Sequence, residues 1–424
     1  MVLLSFTVEN HKSIRDEVTL DLTRPSLKTL RPKDGLWAAA TYPLAGIFGG
    51  NASGKSTILD AILYVFEALA RSATTWQGAK TMYRTPFALN ADSSSLASRY
   101  EMDFVHENRR HRYGFEVDDS GIKSEWLLDI PNSRWRTLIR RDRSDRPTVF
   151  HSSVGTRVEV TDRELILSRS LLLPDSPLRD IARGLVNRFD VVLVKDSHRE
   201  ARLASIADSL AEGSITFEDL EKLLRIADIG VLSVRVEEHD IPEKFRLALR
   251  RFAQELQEET EQGSSDQPAS ASVEFVESEL EQVARRLLFN HRGEVEECPS
   301  FSIREESDGT IAWLATAVPA LEVLRSGGLL LVDEIDSSLH PHLLGVLLGA
   351  FDDPAINQHG AQLIFTSHES FILSPLSDVQ LDPEQVWFTD KSYVGVTELT
   401  CLDDFPRHRE ANVAKRYLTG RYGG

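Results

Sequence analysis

The stretch GIFGGNASGKSTILDAILYVF, Gly46 to Phe66, constrains the fold more than any other part of the chain. Gly49, Gly54, Lys55 and Ser56 fit the spacing G-x-x-x-x-G-K-[ST]. In such a loop the glycines let backbone N–H groups curl around phosphates, the lysine reaches the β and γ oxygens, and the serine hydroxyl ligates Mg²⁺. The expected cradle for a nucleoside triphosphate is therefore Gly49, Asn51, Ala52, Ser53, Gly54, Lys55, Ser56 and Thr57. Leu44 to Phe48 reads as a short strand, and Ile58, Ile62, Val65 and Leu69 recur at helical spacing. Strand, loop and helix follow in the order that phosphate binding requires, with the helix's positive end facing the ligand.

At 424 residues the chain can form one large α/β unit with an insertion, or smaller lobes. Apolar residues at 41% and charged residues at 27% are ordinary for a globular protein. The longest apolar run, Gly327 to Val332, is far short of the ~20 residues of a membrane helix. No basic-then-apolar segment opens the chain, so cytoplasm is the expected compartment and no membrane partner is expected. Cys298 and Cys401 are too few for a disulfide framework or a cysteine metal site. A formal net charge of -18 confines any nucleic-acid contact to a local patch and favours a protein partner.

Period-two patterning at Leu4, Phe6, Val8 and again at Val18, Leu20, Leu22 predicts an N-terminal hairpin. From about Tyr100 to Ile139 the alternation returns, in the manner of an antiparallel meander. Residues 201–260 look helical around a strand-like VLSVRVEE, and 262–272 reads as a surface loop. A strand pair is expected around Val273 to Ile303, then a helix from Thr310 to Arg325, the run LLLVDE, a helix from His342 to Phe351, and the strand QLIFT. Helices alternating with short apolar strands predict a mixed, largely parallel sheet, with an antiparallel β-subdomain and a helical insertion. The expected division is 1–200, 201–272 and 273–424.

Three further segments bear on chemistry. Leu329 to Glu334, LLLVDE, ends a buried strand in two carboxylates at the edge where α/β ligands bind. Asp333 suits the Mg²⁺ shell, and Glu334 is placed to polarise an attacking water. The bland alternative is a strand end that caps the next helix. Thr366 to His368, TSH, follows a strand, and one strand beyond the acidic pair its histidine would reach the same edge. Ser307 and Gly309 in EESDGT stand just ahead of the expected helix, which alone is an ordinary N-cap turn.

The order of these elements resembles the ABC-class ATPase head of SMC, RecF and OLD-type proteins. That resemblance makes Ser307 and Gly309 the signature loop, Asp336 to Pro341 (DSSLHP) the D-loop and His368 the switch histidine. It also implies ATP hydrolysis by a dimer in which each nucleotide is completed by the partner's signature loop. More narrowly, FTVENHKSIRDEVTL, GNASGKST, EESDGT, VDEIDSSLHP and RYLTGRYG look like the abortive-infection ATPases called RloA or AbiLi, related to AbiEii-type ATPases. Members of that family are encoded beside a toxic effector, often a nuclease, so the resemblance implies an ATPase that senses infection and controls such an effector. A RecF- or SMC-like DNA-binding ATPase is the alternative. Arg109 to Arg112 with Arg134, Arg136, Arg140, Arg141 and Arg143 could form a nucleic-acid patch or simply a solvated hairpin face. A nuclease domain in this chain is disfavoured, because too few residues follow His368 and no D-x-D cluster lies there.

Overall fold

Every residue of β3 (Leu44–Phe48) is buried. A strand with no solvated face and unpaired backbone groups on both sides is stable only inside a sheet. It lies at the interior of a six-stranded sheet ordered β16-β15-β3-β14-β13-β9. The partners are β9 (Phe189–Val192), β13 (Leu329–Val332), β14 (Gln362–Ser367), β15 (Val386–Lys391) and β16 (Thr397–Cys401). All pairings are parallel except that of β15 with β16 at the edge. The structure is a computed structural model, and it describes residues 1–78, 81–145, 147–155, 158–192, 206, 209–210, 213–227, 230–238, 285–291, 299–302, 305–337, 339–406 and 412–420.

A second, seven-stranded sheet is antiparallel throughout, ordered β2-β1-β4-β5-β6-β7-β8. β1 (Val2–Glu9) and β2 (Val18–Asp21) form the expected N-terminal hairpin. β4 (Ser98–His106), β5 (Arg109–Asp118), β6 (Gly121–Asp129) and β7 (Arg136–Asp142) form the expected meander, closed by β8 (Val149–Phe150). Between the sheets' apolar faces runs α1 (Lys55–Arg71), which buries Ile58, Leu59, Ile62, Val65, Phe66 and Leu69. Those residues share one continuous core with Phe6, Tyr100, Phe104 and Phe115 of the antiparallel sheet and with Ile47, Leu331 and Ile364 of the parallel one. Fully burying one such side chain contributes about 1.5–3 kcal/mol.

The chain divides into two compact units. The first comprises Met1–Leu193, Pro319–Ser337 and Leu344–Gly424, and it contains both sheets just described. The second comprises Val194–Val318 and Ser338–Leu343. In it the helix Phe217–Ala227 precedes β10 (Val231–Glu238), which pairs antiparallel with β11 (Arg285–His291), itself paired with β12 (Phe301–Ser302). The helix Asp308–Ser326 begins in this unit, and the boundary falls at Pro319 within it. Of the expected helical stretch 201–260, residues 239–260 lie outside the described residues, as do the loop 262–272, Cys298 and the last three residues of RYLTGRYG.

Two buried polar clusters fix the first unit. Glu125 is fully buried and accepts from the N–H groups of Ile166 and Leu167, capping the short helix Ile166–Leu171, and also from the Tyr113 hydroxyl. Burial raises the Glu125 carboxyl pKa, and the Arg141 guanidinium 3.7 Å away opposes that shift. Gln362 joins the sheets: its Oε1 accepts from Leu3 N at 2.6 Å, and its Nε2 donates to Leu3 O at 2.9 Å and Tyr42 O at 3.2 Å. Replacing it with an apolar residue strands the Leu3 N–H in the interior. Gln362→Leu is expected to destabilise the fold by about 1–3 kcal/mol in urea denaturation, with the slope of the transition unchanged.

Candidate nucleotide-binding site

Parallel pairing of β3, β13 and β14 carries three loops to one sheet edge, because Ser367 pairs with Phe48 and Val332 with Phe365. Gly49 onward, Asp333–Glu334 and His368 leave the sheet side by side. The loop after β3 depends on two glycines for space. Gly54 is the N-cap of α1 with φ of 108°, and a Cβ there would lie 2.1 Å from Thr397 Oγ1. A Cβ on Gly49 would lie 2.4 Å from Thr389 Oγ1. The same threonines bond the loop: Thr389 shares a 2.6 Å hydrogen bond with Ser53 Oγ, and Thr397 Oγ1 donates to Ser53 O at 3.1 Å. Ser13, itself bonded to Thr57 at 3.1 Å, shares a 2.8 Å hydrogen bond with Thr397 Oγ1. Tyr417 closes the ring, its hydroxyl accepting from Gly49 N at 3.2 Å.

Asn51, Ala52 and Ser56 face solvent, whereas Lys55 is only 5% exposed. The Lys55 ammonium donates to Gly49 O at 2.8 Å and Gly50 O at 3.0 Å. Burial pulls its pKa below the usual lysine value, against the opposing charges of Glu334, Asp333 and Asp336. It also meets His368 Nδ1 at 3.2 Å. An ammonium has no acceptor, so Nδ1 must accept, and the neutral ring then carries its proton on Nε2. That nitrogen lies 3.5 Å from Glu334 Oε1. Asp336 Oδ1 receives His368 N at 3.3 Å.

Ser56 Oγ donates to Asp333 Oδ1 at 2.9 Å, and Thr366 Oγ1 donates to the same oxygen at 2.6 Å. Glu334 N donates to Thr366 Oγ1 at 2.7 Å, and Glu334 holds φ at 48°, a left-handed conformation uncommon outside glycine. The chain turns through 333–337, and the next helix, Pro341–Asp352, begins well after it. Asp333 and Glu334 therefore do not cap a helix. The donor set suits Mg²⁺: one hydroxyl and one carboxylate on a solvent-facing edge, with the other positions left for phosphate and water oxygens. Among the described residues no group of three or more His, Cys, Asp or Glu could hold a metal on its own.

Ser307 and Gly309 belong to the second unit. Ser307 Oγ accepts from Thr310 N at 3.1 Å as an N-cap. Gly309, expected ahead of the helix, is its second residue, because the helix starts at Asp308 rather than Thr310. Of DSSLHP, Ser338 lies outside the described residues. Thr366, Thr389, Thr397, Ser13 and Tyr417 escaped sequence reasoning as contributors. Hydroxyl residues after residue 385 carry no motif, although the continuous buried run VWFT of β15 marks a strand able to flank β3.

The arginines expected on a solvated face are largely paired. Arg136 and Arg109 share buried Asp129, and Arg110 and Arg112 share buried Asp103. Arg143 pairs with Asp118. Arg141 is buried and donates to Glu164 O and Thr161 O, both at 2.7 Å, so it belongs to the interior and not to any surface patch.

Residues 44–374 match the sequence model of the family described as "AAA domain, putative AbiEii toxin, Type IV TA system". The chain belongs to that family. The match spans every candidate residue from Gly49 to His368 and ends before Thr389, Thr397 and Tyr417. Solved structures with a similar fold include an SMC head bound to the C-terminal winged-helix domain of ScpA, at 14% identity over 94% of this chain and 97% of that one, TM-score 0.48. They also include the SMC head domain from Thermotoga maritima, at 13% identity over 95% and 99%, TM-score 0.43. The recombination mediator RecF is a third, at 13% identity over 94% and 98%, TM-score 0.32. No curated protein sequence matches the chain. Among the described residues no helix is long and apolar enough to cross a membrane.

Gly54→Ala would set a Cβ against Thr397 in a backbone conformation that L side chains resist. Titration with a fluorescent ATP analogue is expected to show affinity reduced about tenfold or more, for a strain of about 1–3 kcal/mol. Unchanged affinity would mean that Thr397 does not back the loop.

Proposed function

We propose that the chain is a cytoplasmic ATPase that closes two copies around ATP and so controls a separately encoded effector, a nuclease or other toxin, in abortive-infection defence against phage. The observation that carries this reading is the convergence of Lys55, His368 and Glu334 with Ser56 and Asp333 on one sheet edge. Mere nucleotide storage needs the loop and lysine alone, whereas a carboxylate at 43% exposure beside a neutral imidazole serves hydrolysis.

In the proposed reaction water's oxygen bonds to the γ phosphorus, the bridging P–O bond breaks, the water's proton passes to Glu334 and on to solvent, and ADP and phosphate leave. Glu334 orients the water, His368 holds Glu334 in place through Nε2, and Lys55 binds the β and γ oxygens. Mg²⁺, held by Ser56 and Asp333, would neutralise charge on those oxygens. The helix Asp308–Ser326, capped by Ser307, offers an N-terminal positive end to the γ-phosphate of a second copy. Its closed and open states would then be distinguished by the effector. The family description, with its toxin–antitoxin term, supports the effector.

A second reading, a DNA-binding ATPase, is favoured by one observation. A cavity of about 950 Å³ in the first unit is lined by Lys28, Arg31 and Lys33, all exposed and without an ion-pair partner among the described residues. Arg110, one of two arginines sharing Asp103, donates to Leu30 O on its wall at 3.1 Å. Arg134 is exposed next to the lining residue Ser133. The surface therefore holds local positive charge on an acidic chain.

Glu334→Gln is expected to bind ATP, accumulate as a dimer in size-exclusion chromatography and release phosphate about 10²–10⁴-fold more slowly. Native phosphate release by this variant would refute the hydrolytic role. Ser307→Arg should bind ATP yet stay monomeric, and Lys55→Ala should lose about tenfold or more in nucleotide affinity. For the second reading, the triple variant Lys28→Glu, Arg31→Glu, Lys33→Glu should abolish duplex DNA binding while keeping nucleotide affinity. In the native chain log affinity should fall with log salt by about 0.9 per phosphate contact. Binding that ignores both salt and the triple variant would remove the DNA reading.

A further inference from the structure

The hydroxyl of Thr366 has one hydrogen and two lone pairs, and it uses them on consecutive residues of the neighbouring strand's end. It donates to Asp333 Oδ1 at 2.6 Å and accepts from Glu334 N at 2.7 Å. The Thr366 carbonyl accepts from Ile335 N at 3.0 Å. One fully buried residue of β14 thus fixes three successive residues of the loop after β13.

The geometry points to Thr366 as a positioning residue for both carboxylates, turning Asp333 toward Ser56 and locking Glu334 where its carboxylate faces His368. This rests on the hydrolytic reading above. β13 ends at Val332, paired with Phe365, so Thr366 occupies the next register position. Asp333 N still follows the ladder on the other side, donating to Val192 O at 3.0 Å as Leu329 N does to Arg188 O, so the pairing with β14 breaks at Glu334, whose N–H goes to the Thr366 hydroxyl while Ile335 N takes the Thr366 carbonyl. The Glu334 N–H takes a side-chain acceptor in place of a ladder carbonyl.

Two consequences follow from that substitution. First, the left-handed backbone of Glu334 is disfavoured for a residue bearing a Cβ and persists only where its surroundings over-determine it. The Thr366 bond to its N–H and the Ile335 bond to Thr366 O bracket that conformation. Second, Asp333 Oδ1 is approached by two hydroxyl hydrogens, from Thr366 and Ser56. Ser56 can turn its oxygen to a metal ion while Thr366 still holds the carboxylate in place. Thr366 also stands two residues before His368, so one strand end sets the imidazole and the acid it faces.

Valine matches threonine in shape and can make neither bond, whereas serine can make both. In the full-length chain, Thr366→Val is expected to lower phosphate release about tenfold or more. Fluorescent ATP-analogue titrations with Mg²⁺ and with EDTA supply a second readout. The gain in affinity that Mg²⁺ gives the native chain should shrink several-fold, while affinity in EDTA stays within about twofold. Thr366→Ser should restore both. Added to Glu334→Gln, Thr366→Val should slow release no further yet still reduce the Mg²⁺ gain. If Thr366→Val does not fold, Thr366→Cys, with similar volume and a weak donor, is read the same way. Native turnover and a native Mg²⁺ gain in Thr366→Val, or a Thr366→Ser as impaired as valine, would overturn the assignment. Native release by Glu334→Gln would instead bring down the hydrolytic reading itself, whereas an inactive Glu334→Gln beside a fully active Thr366→Val would remove the role of Thr366 alone.

Discussion

Everything at the candidate site depends on the hydrogen bonding of β3 on both sides by parallel neighbours. Parallel strands end at a common edge, so the loops leaving β3, β13 and β14 come together without any of them reaching. The backbone pairing in the interior is obligatory, since a buried unpaired N–H or C=O costs as much as a lost hydrogen bond. The sheet can therefore hold Lys55, His368 and Glu334 in one line of contacts even though 313 positions separate Lys55 from His368.

Around that frame the polar work is divided by residue type. Glu334 and His368 face the solvent side of the edge, both part-exposed, whereas the Lys55 ammonium is buried. Hydroxyls do the holding behind it: Ser13, Ser53, Thr57, Thr389 and Thr397 bond one another and the loop backbone, and Thr366 bonds the acidic turn. A hydroxyl suits this place because it donates and accepts at once and adds no buried charge. On the antiparallel sheet the opposite solution holds, with arginines sharing aspartates two to one.

The sequence made the skeleton legible where a periodicity or a spacing encoded it. Leu44 to Phe48, the apolar face of α1, the hairpin and the meander all emerge with the expected pattern, and LLLVDE and TSH arrive at the edge that their strands dictate. What was not legible has a shared physical cause. The threonines behind the loop act through single bonds across more than three hundred residues of sequence, and no local pattern carries such a contact. The helix start moved from Thr310 to Asp308 because a serine cap bonds the N–H three residues on, which the apolar period does not register. Arg141 gave no sign of burial, because its partners are backbone carbonyls of Thr161 and Glu164.

The strand order has a consequence for how the chain comes into being. β3 is synthesised early, yet its two neighbours in the sheet begin at Gln362 and Val386. During translation the phosphate loop must wait, with neither flank paired, until the strand that begins at Gln362 has left the ribosome. Long-range pairing of this kind is slow to close. Nucleotide thus has no formed loop to occupy on a growing chain, and a ribosome that stalls midway leaves a fragment blind to ATP.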